Sequence, residues 1–111
     1  HYFVVREDDG RVVGVAGLEI HGEDGLLRSV AVGAEYRGQG LAASLVEAAV
    51  ERAKRVNLRA VYLLTTSARD YFARHGFVDC PREEAPAAVC ESWEFRTGCP
   101  STAAFMRRPV A

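Results

Sequence analysis

The segment between residues 26 and 55 constrains the fold most, because it joins a strand, a turn and a helix in a fixed order. The apolar run at residues 26–32 is typical of a β-strand, and apolar side chains recur at helical spacing from Leu41 onward. Tyr36-Arg37-Gly38-Gln39-Gly40 lies between them. A strand, a glycine-containing turn and a helix N-terminus in series present backbone N–H groups and a positive dipole end. The segment therefore predicts an anion site suited to phosphate.

Two common phosphate signatures fit this turn poorly. A P-loop closes with Gly-Lys-Ser/Thr, whereas Leu41-Ala42 follow Gly40 here. A dinucleotide fingerprint needs G-x-G-x-x-G, and Ala43 matches its third glycine only loosely. Arg37 adds a guanidinium suited to bidentate phosphate contact.

The rest of the pattern predicts one α/β domain, residues 1–111, with a mixed sheet. Gly14 and Gly17 indicate an irregularity in the second strand, and Asn57 ends the long helix. A parallel β-α-β crossover follows from the strand at residues 60–65. The predicted strands are 2–6, 12–20, 26–32, 60–65, 77–80 and 102–108, the helices start at 41, 68 and 86, and turns lie at 8–10 and 21–25.

The run Arg37-Gly38-Gln39-Gly40-Leu41-Ala42 follows the pattern Arg-x-x-Gly-x-Ala, directly after the strand end Ser29-Val30-Ala31-Val32. Together they resemble motif A of the GNAT superfamily of acyl-CoA-dependent N-acetyltransferases. The ending Arg74-His75-Gly76-Phe77 is similar to a second landmark of that family. The resemblance implies a mixed, mostly antiparallel sheet flanked by helices, with acetyl-CoA as cosubstrate. It assigns coenzyme binding to the turn and the splayed strand end: Val30, Ala31, Val32, Arg37, Gly38, Gln39, Gly40, Leu41 and Ala42.

The resemblance has two departures. The family's domain opens with a strand and two helices that have no counterpart in the printed sequence, so we expect either their absence from this chain or a reduced acceptor pocket. The family's tyrosine, which protonates the leaving thiolate, falls on Phe72, five residues before Phe77. The neighbouring Tyr71 is the candidate acid, although a shift of one residue along a helix rotates the side-chain direction by about 100°.

The transfer also needs a base for the ammonium proton. Alternation along the second strand gives Gly17 and Glu19 a common face, and Glu19 is the candidate base. A solvated strand-end glutamate is the alternative interpretation. His21 is the fallback, because its usual pKa suits proton transfer, whereas His75 is better explained as a helix C-terminal residue.

Short stretches such as Leu27-Arg28-Ser29-Val30 and Cys99-Pro100-Ser101 resemble a subgroup of arsenic-resistance-associated and N-acetylglutamate-synthase-like acetyltransferases. This resemblance implies a small amino-acid-like acceptor amine. An acidic acceptor needs a cationic partner, and Arg28 and Arg96 are the candidate substrate-binding residues. The competing hypothesis is a regulatory module that binds acyl-CoA without transferring the acyl group.

Charge and composition argue against several other partners. A net charge of −1 gives no electrostatic case for nucleic acid or an anionic membrane. The cysteines Cys80, Cys90 and Cys99 lack C-x-x-C spacing, so we expect reduced thiols and no metal. No apolar run spans a bilayer, and a cytoplasmic location is expected. A homodimer is a further expectation, since GNAT domains often dimerise.

Overall fold

The computed structural model describes residues 2–6, 12–33, 40–65, 68–90 and 104–110. A six-stranded sheet carries three α-helices. In chain order the elements are β1 (Tyr2–Arg6), β2 (Val12–His21), β3 (Asp24–Val32), α1 (Leu41–Arg55), β4 (Ala60–Thr65), α2 (Arg69–Ala73), β5 (Val78–Asp79), a 3-10 turn (Arg82–Glu84), α3 (Ala87–Cys90) and β6 (Ala104–Pro109).

The strands lie in the order β1-β2-β3-β4-β6-β5. Every neighbouring pair is antiparallel except β3 and β4, which are parallel. The one parallel pair flanks α1 in the chain, because a parallel return needs a crossover element. The predicted fold, a mixed and mostly antiparallel sheet flanked by helices, is confirmed.

Helices cover the two faces of the sheet unequally. On the first face, α1 buries Leu45, Val46, Ala49 and Ala53, and α2 adds Phe72. They pack on side chains from four strands, including Ala16, Leu18, Leu27, Val61, Leu63 and Met106. On the second face α3 contributes Val89, which packs with Leu26, Ala60, Tyr62, Leu64 and Phe105. The 15-residue α1 therefore makes the first face the larger core.

The β2–β3 connection is tighter than the turn predicted at residues 21–25. The strands run to His21 and start again at Asp24, which leaves Gly22 and Glu23 as a two-residue loop. Gly22 has φ 64°, which the favoured two-residue hairpin turns need at this place. The turn predicted at residues 8–10 lies outside the described residues.

Several other predicted boundaries shift. α1 ends at Arg55, and Asn57 follows it with φ 62°, a left-handed conformation that asparagine tolerates. α2 starts at Arg69 with Ala68 as N-cap, whose N–H donates to Thr65 Oγ1 at 3.0 Å; Ser67, the predicted start of a capping box, lies outside the described residues. β5 spans two residues instead of four. Of the helix predicted at 86–95, residues 87–90 are helical and 91–95 lie outside the described part.

A charged contact clamps the paired ends of β3 and β4. Arg59, just before β4, donates to Asp24 Oδ2 at 2.7 Å, and its backbone N–H donates to the carbonyl of Glu23 at 2.8 Å. The Asp24 side chain is buried, so its carboxylate needs this partner. The clamp holds one end of the two strands together, and the other end carries the candidate site.

Candidate functional site

The parallel strands β3 and β4 pair over only three residue pairs. Asp24, Gly25 and Leu26 pair with Ala60, Val61 and Tyr62. Among the described residues, no pair joins the two strands beyond Leu26 and Tyr62, although β3 continues along β2 and β4 continues along β6. The backbone edge of β3 after Leu26 therefore faces a gap. Backbone N–H and C=O groups need partners, so an extended ligand can pair with this edge.

A β-bulge lies on β3 beside the gap. Val15 and Gly17 of β2 pair with Ala31 and Arg28, so two steps on β2 match three steps on β3. The extra residue changes the face to which the following side chains point. Leu27 and Val30 both pack toward α1, although regular alternation would place them on opposite faces of the sheet. The irregularity predicted from Gly14 and Gly17 is confirmed in place. The added residue, however, belongs to β3.

Gly14 reflects a close approach of α1. A Cβ built there would lie 3.1 Å from Leu45 Cδ1, so the helix rests almost on the strand backbone. Close by, an open groove of about 290 Å³ lies at the ends of β2 and β3, lined by residues 12–15 and 31–33. The predicted coenzyme residues differ in exposure here: Val30 and Val32 are half-buried against the first-face core, and Ala31 is exposed.

The N-terminus of α1 has no capping side chain of its own. Its N-cap is Gly40, with φ 78° and ψ 8°, and its first turn holds no acidic residue. A Cβ at Gly40 would meet no atom of the described residues within 4 Å. Ser44 donates its hydroxyl to the Gly40 carbonyl at 3.2 Å and thus does not cap the N–H groups. Among the described residues no side chain caps those N–H groups, and a bound anion or water can do so.

The predicted coenzyme residues Gly40, Leu41 and Ala42 form this helix start. Arg37, Gly38 and Gln39 lie outside the described residues. The positive φ at Gly40 means that any side chain there would strain the backbone as well as fill the space.

Tyr71 lies on α2 with its hydroxyl buried. The hydroxyl oxygen has no hydrogen-bond partner among the described residues. The ring lies edge-on to Phe72, at 5.3 Å, and 4.6 Å from the ring of His75. Burial raises the pKa of Tyr71 above its usual 10.0, and the charge of Arg74 offsets this only in part. The phenol is therefore protonated at neutral pH and can donate a proton.

Phe72, at the family's tyrosine position, is a core residue. It is buried and packs edge-on against Phe77 at 5.6 Å. Gly76 follows with φ 89°, and the Phe77 N–H donates back to the Phe72 carbonyl at 3.1 Å. The predicted glycine ending of this helix is confirmed.

Glu19 is bonded on both carboxylate oxygens. Its Oε1 lies 2.8 Å from His21 Nε2, and its Oε2 accepts from Arg28 across the strand pair. Burial raises the pKa of Glu19, but the hydrogen bonds from His21 and Arg28 outweigh it, so the pKa lies below the usual 4.5. This carboxylate is a weaker base than an ordinary glutamate.

The contact between Glu19 and Arg28 joins two residues that the sequence analysis treated separately. Arg28 pairs in register with Gly17, and the bulge next to it re-aims the strand. Their opposite charges on adjacent predicted strands were the available signal. Arg96 lies outside the described residues. No group of three or more potential metal-ligating side chains occurs in the described ranges. Among the same residues, no helix is long and apolar enough to cross a membrane.

Comparison with known proteins identifies the class to which this fold and site belong. The model of the Acetyltransferase (GNAT) family matches residues 1–77. An amino-acid acetyltransferase of Aeromonas salmonicida is 34% identical over 86 residues, which are 76% of this chain and 20% of that protein. One from Pseudomonas paraeruginosa is 32% identical over 96 residues, 85% of this chain and 22% of that protein. The chain belongs to the GNAT acetyltransferase family and spans about a fifth of the length of these curated relatives.

Solved structures agree on the fold. N-acetylglutamate synthase of Neisseria gonorrhoeae, complexed with coenzyme A and N-acetyl-glutamate, matches with a TM-score of 0.86 at 18% identity, over 99% of this chain and 26% of that one. A Mycobacterium tuberculosis protein solved in complex with CoA matches with a TM-score of 0.83 at 26% identity, over 99% of this chain and 76% of that one.

Proposed function

We propose that this chain holds acetyl-CoA and transfers its acetyl group to the amine of an amino-acid-like acceptor. The observation that carries the proposal is a pair of backbone features: the β3 edge that β4 does not pair with beyond Leu26, and the N-terminus of α1 at Gly40, which no side chain of the described residues caps. An extended pantetheine arm suits the first, and a pyrophosphate suits the second. The relatives named as amino-acid acetyltransferases support the acceptor class.

The coenzyme would lie along β3 and end at the helix. Backbone groups of Val30, Ala31 and Val32 pair with the pantetheine arm and polarise the thioester carbonyl. Backbone N–H groups of residues 38–42 hold the pyrophosphate, and Arg37 adds charge to it. The neighbouring proteins solved with coenzyme A support this assignment.

The proposed reaction needs one proton removed and one delivered. The acceptor nitrogen, after losing its ammonium proton, attacks the thioester carbonyl and forms the C–N bond. The tetrahedral intermediate collapses, the C–S bond breaks, and the leaving thiolate takes a proton. The buried, protonated hydroxyl of Tyr71 is our candidate donor.

Glu19 has two candidate roles at this site. As a base it would take the ammonium proton directly or through water, and as an anchor it would hold Arg28 in place. For the acceptor itself, Arg28 and Arg96 are the proposed carboxylate partners.

A thiol-release assay tests the proposal. The chain is incubated with acetyl-CoA and a panel of amino acids, and free coenzyme A is followed against an amine-free blank. We expect release above the blank with at least one amino acid. Calorimetric binding of acetyl-CoA without amine-dependent release would instead support the regulatory module, which the buried Phe72 at the family's tyrosine position favours. No binding at all would refute the coenzyme site.

Replacing Tyr71 by Phe tests the proton donor. Loss of a general acid typically costs about 100-fold or more, so we expect kcat to fall by about that factor with acetyl-CoA affinity unchanged. Tyr62→Phe is the matched control, because Tyr62 is buried on the second face, stacked on Phe105 at 5.3 Å. Equal activity in both variants would remove Tyr71 from the mechanism.

A cytoplasmic location and a homodimer complete the proposal. Cell fractionation and sedimentation velocity test them separately from the chemistry.

A further inference from the structure

The second face of the sheet carries a chain of three polar side chains that leads to the gap. Ala16 and Leu18 pack into the first-face core, so alternation along β2 directs Glu19 and His21 to the second face. Arg28 reaches Glu19 there. This series of three side chains runs from His21, which pairs with Asp24 at the hairpin, to Arg28, beyond the last β3–β4 pair.

An acceptor has to approach the gap from this second face. The first face is filled near the gap, since Val30, Val32 and Tyr71 all pack against the core that α1 and α2 cover. On the second face α3 reaches the hairpin end, where Ala88 lies close to Gly22. Arg28 lies past that end, with its side chain 27% exposed. The Arg28 guanidinium therefore lies on the side from which the acceptor approaches.

The contacts of Glu19 suit an anchor better than a base. Both of its oxygens are engaged, one by His21 and one by Arg28. A general base needs a lone pair directed at the incoming ammonium group and a pKa near the working pH, and this carboxylate has a lowered pKa. A long arginine side chain, in contrast, loses rotamer entropy when it binds, so a fixed partner pre-organises it.

We infer that Glu19 is a positioning residue, which, itself held by His21, fixes Arg28 at the mouth of the gap to receive the carboxylate of the acceptor. The inference rests on the proposed function and names its substrate class, a carboxylate-bearing amine. A guanidinium has five N–H donors in a planar fork and can hold two carboxylates at once. Specificity for the acceptor then arises from side chains of β2 and β3 that do not contact the reacting atoms.

The test is a graded series at Glu19, assayed with L-glutamate and with glutamate amides that lack one or both carboxylates. Glu19→Gln keeps an oxygen that accepts from Arg28 but removes the charge and basicity, and Glu19→Ala removes both. If Glu19 is an anchor, Glu19→Ala raises the KM for carboxylate acceptors roughly tenfold, and Glu19→Gln raises it by less. In both variants kcat and its pH profile stay near the unmodified values, and the KM of the amide acceptor that lacks both carboxylates hardly changes.

A base at Glu19 gives the opposite pattern. Both variants would then lose kcat equally, by about 100-fold or more, for carboxylate and amide acceptors alike, and the acidic limb of the kcat–pH profile would disappear. That outcome overturns the inference and leaves the proposed transfer reaction intact. Glu47→Gln is the matched control, because Glu47 also pairs with an arginine, Arg108, at 2.8 Å, but on α1.

Equilibrium binding separates the inference from the proposed function. N-acetyl-glutamate is titrated calorimetrically into the chain saturated with coenzyme A, with no turnover needed. Weaker binding to Glu19→Ala, at least partly restored in Glu19→Gln, supports the anchor even if no amine is acetylated. Equal binding to the unmodified chain and both variants overturns it even if acetylation proceeds.

Discussion

The N-termini of α1 and α2 both lie on the side of the sheet that carries the gap, yet the two helix starts differ in their capping groups and charge. At α2 the protein supplies the partners: Thr65 accepts the N–H of Ala68, and Asp70 places a carboxylate in the first turn. At α1 the N-cap is a glycine and the first turn has no acidic residue. A helix N-terminus is stabilised by negative charge, which α2 has in its own first turn and which, among the described residues, α1 does not.

The difference is what we expect if the start of α2 is structural and the start of α1 is the proposed coenzyme site. In α2 the charged first turn is further held by Arg69, whose Nε lies 2.9 and 3.0 Å from the two carboxylate oxygens of Asp79 on β5 and whose Nη2 also donates to Asp79 Oδ2. Tyr71, the candidate proton donor, follows Asp70 in this helix. In α1 the N-cap Gly40 is itself exposed, and a Cβ there would meet no atom of the described residues within 4 Å. An anionic ligand would do at α1 what Asp70 does at α2.

The largest expected effect comes from adding a methyl group at Gly40. Gly40→Ala and the control Gly22→Ala both force a side chain into positive φ, at 78° and 64°, so both should lose about 1 kcal/mol of stability. Only Gly40→Ala should also weaken acetyl-CoA binding, roughly tenfold or more, because the methyl group blocks close approach of the pyrophosphate. Calorimetry and thermal melts check the two parts. Equal loss of affinity in both variants would mean that strain alone is responsible.

A smaller effect concerns the pH dependence of the α2 start. The hydrogen bond and charge of Arg69 lower the pKa of Asp79 below its usual 3.8. A lowered folded-state pKa contributes stability that is present above the unfolded value and lost as the pH falls through the folded value. Asp79→Asn should therefore lower the melting temperature slightly at pH 6, and the difference should vanish near pH 2. A difference that persists at pH 2 would contradict the ion pair, and acetyl-CoA affinity should not change.

Much of the arrangement of strands and helices was predictable because the sequence patterns that specify these elements are local. The apolar run of β3 and the helical spacing of α1 each lie within a few residues, so the strand and the helix followed from the sequence, and the anion site between them stays a prediction. The φ of Gly76 also agrees with the sequence, since glycine after a helix C-terminus usually adopts that conformation, and the positive φ of Gly40 is one that glycine permits.

The contacts of Glu19 were not predictable in the same way. Alternation correctly separated its face from that of Leu18, but its partner depends on the register between β2 and β3. One added residue on β3 changes which side chain lies opposite, and no local pattern specifies where it is inserted. The Glu19–Arg28 pair is therefore a product of tertiary register. The tight loop at Gly22 and the short β5 are set by long-range pairing as well.

The most direct test of the open helix start is to give α1 the acidic first turn that α2 already has. Acetyl-CoA is titrated calorimetrically into the unmodified chain, Ala42→Glu and Ala87→Glu, the last placing the same charge at the exposed start of α3. We predict that Ala42→Glu binds at least about tenfold more weakly while its melting temperature does not fall, because a negative charge stabilises the helix but repels the pyrophosphate. Ala87→Glu should bind as the unmodified chain does. Unchanged affinity in Ala42→Glu would contradict a coenzyme site at the N-terminus of α1.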